Sequence, residues 1–353
     1  MLIKHTGLGI MSGTSLDGID LAVVRFSKND NWEYQLLQAE TIAYPNRWKG
    51  KLHNAFQYSA IELAKLDMEL GVYLGETAQK FLEKNQLEVD FIASHGHTIF
   101  HQPQDKISLQ IGHGQALADS SGKMVINDFR TGDILLGGQG APLVPVADQL
   151  LFGSYSYCLN LGGISNISFN KKNTRIAYDI CPVNMALNNL SMRLGKAFDR
   201  DGKFGKKGNI NKKLLNELNS LSYYREEPPK SLGREWFEAV FLPILHKQNK
   251  LITEDYLATI YEHIAIQITH QLGKKGKMLI TGGGAHNAYL LSKIREKTTV
   301  ECHVPEKELI DFKEALAFAF LGLLKLRNES NCYASVTGAI KDSSTGVIYT
   351  PNI

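Results

Sequence analysis

Cysteine is scarce and scattered in this chain. The four, Cys158, Cys181, Cys302 and Cys332, lie far apart with no Cys-x-x-Cys pair. Neither a disulfide framework nor a cysteine zinc site is expected from them. Long apolar runs are missing too: the longest, Ala315–Leu324, is too short to cross a bilayer. The opening Met1-Leu-Ile-Lys-His-Thr-Gly lacks the basic and long apolar parts of a signal peptide, so a cytoplasmic location is the default expectation. Net charge is only +3, with no block of one sign. Lys206-Lys207 and Lys212-Lys213 read as a solvated loop and helix face, and no basic stripe marks a nucleic-acid surface. The expected partners are therefore small molecules, not nucleic acid or membrane. Also absent are a Gly-x-x-x-x-Gly-Lys-Ser/Thr loop and a Gly-x-Gly-x-x-Gly opening a helix.

What is present is a set of other glycine elements. The first is Gly9-Ile-Met-Ser-Gly-Thr-Ser-Leu-Asp-Gly18, the second Asn160-Leu-Gly-Gly-Ile-Ser-Asn166, the third Thr281-Gly-Gly-Gly-Ala-His-Asn287. Glycine and small hydroxyl residues let backbone N–H groups converge on an anion. Three such devices in one chain point to a polyphosphate held from several sides, hence to nucleotide-dependent phosphoryl transfer.

The chain's 353 residues suit two domains. Residues 7–12 and 19–26 predict a hairpin around the first glycine turn, with 32–44 as a third strand. Apolar spacing predicts a helix over 59–86, and 89–93 a short strand. The second half repeats the order: a hairpin of 157–161 and 164–169, then a strand over 174–181. Helices are expected near 183–196, 210–221, 234–247 and 253–272, a strand at 277–280, a helix from about His286, a helix over 311–327 and a last strand near 346–349. This is a duplicated α/β architecture, each copy aiming its hairpin turn at a shared cleft. Residues 131–147, rich in glycine and proline, read as a linker, a hinge or a cleft wall. Domain I is expected over 1–130 with about 340–353, and domain II over 131–339.

In the first turn, the N–H groups of Gly13, Thr14 and Ser15 can face a phosphate, while Asp17 and Asp20 can supply oxygen to Mg²⁺, directly or through water. Alone, the segment would read as an ordinary tight turn; the other two glycine elements tip the balance. The third follows a strand and is expected to offer an anion a helix N-terminus, or an adenine a close backbone approach. Asp179, at the end of a strand, could take a proton from a nucleophile or merely cap a helix. Asn184 and Asn188 share a helix face one turn apart. His95 and His97 would share a face of a continued strand, either as a His-x-His metal site or as a polar wall for sugar hydroxyls, the favoured reading; His101 reads as a loop residue. Arg130 could grip a carboxylate or pair with Asp128 or Asp133. Glu314, expected at the start of the C-terminal helix, could cap it or reach the cleft.

Taken together, Gly9–Asp20, Ser94–Pro103, Gln110–Ala116, Asn127–Val146, Asn160–Ile167, Asp179–Asn184, Thr281–Asn287 and Glu314–Ala319 resemble the anhydro-N-acetylmuramic acid kinase family, in family order over nearly the whole chain. The resemblance implies the actin and hexokinase-like (ribonuclease H-like) architecture, with two related α/β domains around a central cleft. It implies a usually dimeric enzyme of peptidoglycan recycling that uses ATP. Its reaction opens 1,6-anhydro-N-acetylmuramic acid with water and phosphorylates O6. Asp179 matches the catalytic aspartate. Gly13, Thr14, Ser15, Asp17, Gly162 and Gly163 match phosphate-binding positions, and Gly282, Gly283 and Gly284 lie near adenosine. His97, Thr98, Arg130, Asn184 and Glu314 match the sugar pocket, with Arg130 facing the lactyl carboxylate. Around the aspartate the family commonly reads Asp-Thr-Gly-Pro-x-Asn with a further Asp four residues on; here Ile180, Cys181 and Asn188 depart from it. A metal-dependent hydrolase built on His95 and His97, and a non-catalytic actin-like switch, are the competing readings.

Overall fold

The computed structural model describes residues 3–13, 16–247 and 251–352. Two compact units emerge, Met1–Leu151 with Phe312–Ile353, and Phe152–Asp311. Residues 131–151 and 312–339 thus pack with the first unit, not the second as expected. The stretch 131–147 is no linker: it carries two short helices of the first unit.

The first unit opens with β1 (Ile3–Ser12), β2 (Gly18–Lys28) and β3 (Trp32–Ala43), followed by α1 (Asn46–Asn54) and α2 (Ala60–Asn85). Ser59 and Glu62 close a reciprocal capping box at the start of α2, and Gln86 ends it in the left-handed conformation. Its apolar stripe, Leu66, Leu70, Leu74, Ala78 and Phe81, is buried, as the helical spacing requires. Next come β4 (Phe91–Ser94), β5 (His97–Gln102), β6 (Ile107–Ile111), α3 (Gly114–Ser121), β7 (Val125–Asn127), α4 (Thr131–Leu135) and α5 (Pro145–Leu151).

The second unit contains β8 (Tyr157–Leu161), β9 (Ile164–Lys171), β10 (Thr174–Pro182), α6 (Asn184–Met192), α7 (Lys212–Asn219), α8 (Arg234–Trp236), α9 (Leu242–Lys247), α10 (Thr253–Thr269), β11 (Lys277–Thr281), α11 (Ala288–Arg295) and β12 (Glu301–His303). A π-turn over Phe237–Phe241 joins α8 to α9. The chain then runs through α12 (Lys307–Leu326), whose residues from Phe312 onward belong to the first unit, to α13 (Ala334–Thr337) and β13 (Val347–Tyr349).

The two main sheets repeat one topology. Their orders are β13-β7-β4-β1-β2-β3 and β10-β9-β8-β11-β12. In each, an antiparallel three-strand meander is extended by two strands parallel to its first strand. The parallel strands of a unit therefore end along one edge, where open α/β sheets bind ligands. Each unit buries its own apolar cluster, around Leu8, Leu21, Leu70 and Ile92 in the first and around Leu159, Ile180, Phe241, Ile260 and Ile280 in the second.

Candidate active site

In the first unit, β1, β4 and β7 end at Ser12, Ser94 and Asn127, and the residues beyond them converge. Gly13 leaves β1, and the turn returns through Asp17 to β2; Thr14 and Ser15 lie outside the described residues. The β4 strand stops at Ser94, and Gly96, with φ of 70°, turns the chain before β5 begins at His97. That turn overturns the expectation of a shared strand face for His95 and His97. Buried His95 receives hydrogen bonds from Arg130 (Nη2 2.7 Å and Nε 3.2 Å to His95 Nε2), and its Nδ1 lies 3.0 Å from the Gly96 carbonyl. Arg130 is always a donor, so Nε2 must be the bare nitrogen and Nδ1 carries the proton. Burial and the adjacent Arg130 hold His95 well below the usual histidine range. Both ring nitrogens are committed, which removes His95 as a metal ligand.

His97 is also buried. Its Nδ1 lies 3.0 Å from Ser12 Oγ, which is 2.7 Å from Tyr44 Oη. Burial lowers the His97 imidazole and raises the Tyr44 phenol. On β5, Thr98 Oγ1 accepts from Gln110 Nε2 at 3.4 Å.

Arg130 pairs with neither Asp128 nor Asp133. Asp128 Oδ1 accepts the Thr131 N–H. Asp133, wholly buried, accepts from Gly140 N, Thr337 Oγ1 and Cys332 Sγ. By folding the 137–140 loop, Asp133 places the Gly140 carbonyl 2.6 Å from Arg130 Nη1. Burial lowers Arg130 to about 10, so it stays charged at neutral pH.

Glu314 lies two turns inside α12, so it cannot cap that helix. It is open to solvent. The surrounding protein and then the Asp20 carboxylate raise its carboxyl, while Arg130 and Glu314 act on each other in the opposite sense. Asp20, Arg130 and Glu314 thus form one electrostatic group. Asp20 Oδ1 accepts from Thr41 Oγ1 at 2.6 Å, and Asp17 is exposed.

The second unit gathers the other two glycine elements. Strands β8 and β11 are parallel neighbours, with Thr281 opposite Asn160, so Gly162-Gly163 and Gly282–Gly284 leave the same sheet edge. Gly282 has φ of 81°, and a Cβ there would meet Asn160 Oδ1 and the Leu161 backbone; only glycine fits. The carbonyl of Gly162 accepts from Asn184 N, and that of Gly163 from Val183 N and Met185 N. In a trans peptide N–H and C=O point oppositely, so the Gly163 N–H faces away from α6, where an anion can reach it. The Asn184 side chain donates to Leu161 O at 3.0 Å and borders the spaces a Cβ would fill at Gly283 and Gly284, joining the two loops.

The third glycine run does not open the α-helix, contrary to expectation. Gly283–His286 forms a 3₁₀ turn, and Asn287 caps α11 with its side chain on Leu290 N. The run's value lies in close backbone approach, not in a helix dipole.

Asp179 lies in β10, the edge strand. Register aligns Thr281, Asn160, Asn166 and Asp179 across four strands, and directly paired residues share a face. The polar row Asn160–Asn166–Asp179 is therefore built into the sheet. Sequence reasoning treated Asn160 and Asn166 only as motif ends; the signal that could have found them is their matched distance from the Gly162-Gly163 turn. Asp179 caps no helix, since α6 begins after Val183 without a side-chain cap. Its Oδ2 accepts the Leu232 N–H at 2.9 Å, and Oδ1 has no protein partner among the described residues. Burial raises the carboxyl to about 6 against that one N–H. A β-bulge separates Asp179 from Cys181. Ile180 and Cys181 are buried in the unit's core, and Ser165 bonds Cys181. The departures at these two positions are thus absorbed by packing.

A duplicated sheet of order 3-2-1-4-5, with glycine turns and carboxylates at the strand ends, defines the actin and sugar-kinase class of nucleotide-dependent proteins. The family described as anhydro-N-acetylmuramic acid kinase matches residues 5–351. Anhydro-N-acetylmuramic acid kinase of Hydrogenovibrio crunogenus is 34% identical, with 98% of each chain covered; that of Clostridioides difficile is 35% identical over 94% of this chain and 95% of its own. The chain belongs to the anhydro-N-acetylmuramic acid kinase family and is a sugar kinase that uses ATP. Among solved structures, a xylulose kinase from Lactobacillus acidophilus covers 98% of this chain and 94% of its own at a TM-score of 0.45 and 9% identity, a likeness too distant to add to the argument. Among the described residues, no helix is long and apolar enough to cross a membrane.

Proposed function

We propose that this kinase opens 1,6-anhydro-N-acetylmuramic acid with water and phosphorylates O6, giving N-acetylmuramic acid 6-phosphate in peptidoglycan recycling. The observation that carries this reading is Asp179: a half-buried carboxylate, raised to about 6, with one oxygen held by a backbone N–H and the other without a protein partner among the described residues. A base of that kind suits removal of a proton from water near neutral pH. Water attacks C1, the C1–O6 bond breaks, and Asp179 takes the water proton. O6 then attacks the γ-phosphorus, and ADP leaves. The first half resembles glycoside hydrolysis with a positioned carboxylate; the second depends on positioning and charge neutralisation.

Gly13, Thr14, Ser15, Asp17, Gly162 and Gly163 are assigned to the phosphates, and Gly282, Gly283 and Gly284 to adenosine. Arg130, held by His95 and Gly140, presents a fixed cation to the lactyl carboxylate. His97, Thr98, Asn184 and Glu314 are assigned to the sugar. The family also implies Mg²⁺. Asp17 and Asp20 fit it: the Asp20 carboxylate is close enough to raise Glu314, a like-charge strain that a cation relieves, and Mg²⁺ is commonly held by one or two carboxylates plus phosphates and water. Bound there, it would neutralise charge on the phosphates. A homodimer and a cytoplasmic, ATP-supplied location complete the reading.

Incubation with Mg-ATP and the anhydro sugar in ¹⁸O-water tests it. The expected product carries one phosphate and one ¹⁸O at C1. A phosphorylated product with its anhydro ring intact would overturn the proposal.

A further inference from the structure

As the second sheet's edge, β10 leaves backbone groups open, and an edge must be covered or paired. Just beyond Asp179 it also bulges, an irregularity that re-aims side chains. Residues 223–232 cover this point. Tyr223 Oη donates to the Asp179 carbonyl at 2.7 Å, the Asp179 N–H reaches the Lys230 carbonyl at 3.4 Å, and the Leu232 N–H holds Oδ2 at 2.9 Å. One short segment therefore grips this residue by its donor, its acceptor and its side chain.

The segment is itself latched. Lys230 Nζ donates to the Tyr223 carbonyl at 3.1 Å and sits over the rings of Tyr223 (4.7 Å) and Tyr178 (5.6 Å). Such cation–ring contacts strengthen as water is excluded. From beneath, half-buried Tyr224 has its Oη 3.0 Å from His263 Nε2, and His263 Nδ1 meets Asn219 Oδ1 at 2.7 Å. This satisfied network anchors the segment to α10 and α7.

We propose that residues 223–232 form a strap that positions the general base, with Tyr223 and the Leu232 N–H as its points of contact and Lys230 as its latch. This rests on the assignment of Asp179 as the base. Tyr223 and Lys230 are positioning residues: they act through Asp179. The titratable groups in and under the strap are Tyr223, Glu226, Glu227 and Lys230, with Tyr178 and Cys181 of β10, and of these Tyr223 interacts with the Asp179 charge. Burial keeps the two tyrosines and the cysteine neutral in the working range, and burial lowers the Lys230 ammonium from its ordinary value. The group the strap adds to the carboxylate is thus the Leu232 N–H, which favours the ionised form. Loosening the strap removes that donor.

The experiment measures turnover from pH 5 to 9 for the full-length enzyme and for Tyr223→Phe, Lys230→Met, Lys230→Arg and Asp179→Asn. Tyr223→Phe and Lys230→Met are expected to lower kcat on the order of tenfold, leave both KM values within about twofold, and move the acid limb to higher pH. Lys230→Arg, which keeps the cation, is expected to restore the wild-type limb. A wild-type kcat and acid limb in Tyr223→Phe would overturn the strap; so would a change confined to KM. Should Lys230→Met fail to fold, as circular dichroism would show, Tyr223→Phe decides alone. Asp179→Asn separates the two ideas: if it keeps turnover, the base assignment falls and the strap with it, whereas a dead Asp179→Asn beside a wild-type Tyr223→Phe removes the strap only.

Discussion

Asp179 carries a cost in the folded protein. Its carboxyl rises from 3.8 to about 6, so between those values the native state binds more protons than the unfolded chain, and stability falls as pH rises through that window. The ionised form required of the proposed base is the form that burial disfavours. Asp179→Asn should therefore lower turnover by about a thousandfold or more while gaining roughly 1–2 kcal/mol of stability at pH 8, allowing for partial exposure. Urea denaturation at pH 8 and at pH 4 checks the sign, because the gain should vanish at pH 4. The wild-type kcat should rise with pH through about 6. His95 cannot supply that limb, being held well below the usual range by burial and Arg130. Arg130→Lys keeps the charge but loses the planar fork that bonds His95 and Gly140 together. It should raise the sugar KM on the order of tenfold with the ATP KM unchanged, as steady-state kinetics would show.

At the scale of elements, α12 packs so closely on β1 that a Cβ at Gly9 would overlap the Ala315 carbonyl. That contact sets Glu314 beside the end of β1. Gly9→Ala must push the helix away, at about 1–3 kcal/mol or more, and the sugar KM should rise along with the loss of denaturation midpoint. Lys313, on the same helix, pairs with Asp148 of α5 at 2.7 Å, both almost fully buried. Asp148→Ala breaks this buried ion pair and should cost about 3–5 kcal/mol, readable by chemical denaturation. The elements themselves were largely legible. The two meanders, the long α2 and the capping residues follow from alternation, helical spacing and Ser59–Glu62. Three features were not. Gly96 breaks the strand by a backbone turn that glycine permits but does not require. α12 starts at Lys307, a turn earlier than the expected 311. The third glycine run precedes its helix because Asn287, not glycine, supplies the cap.

For the whole molecule, each unit has its own buried cluster, so ligands that engage native loops should stabilise by mass action. Asp179→Asn with the anhydro sugar and a non-hydrolysable ATP analogue, each at a hundred times its Kd, should gain about 2.7 kcal/mol per ligand. Calorimetry would show this as a raised Tm, and no shift with either ligand would contradict the assigned loops. The division into units was only half legible. The duplication shows in the repeated strand pattern, but the boundaries at 151 and 312 depend on which surfaces α4, α5 and α12 bury against, and local sequence carries no record of that.

The glycine turns, the duplicated strand pattern and a carboxylate on β10 could be read from the residues alone, because these are matters of backbone freedom, periodicity and residue chemistry along a short stretch. What each polar group faces emerged from the packed fold. It turned Arg130 toward His95 and Gly140, lined up Asn160, Asn166 and Asp179 by register, and laid residues 223–232 over an open strand edge. Those outcomes depend on contacts between residues distant in the chain, whose energies exist only once the core has brought them together.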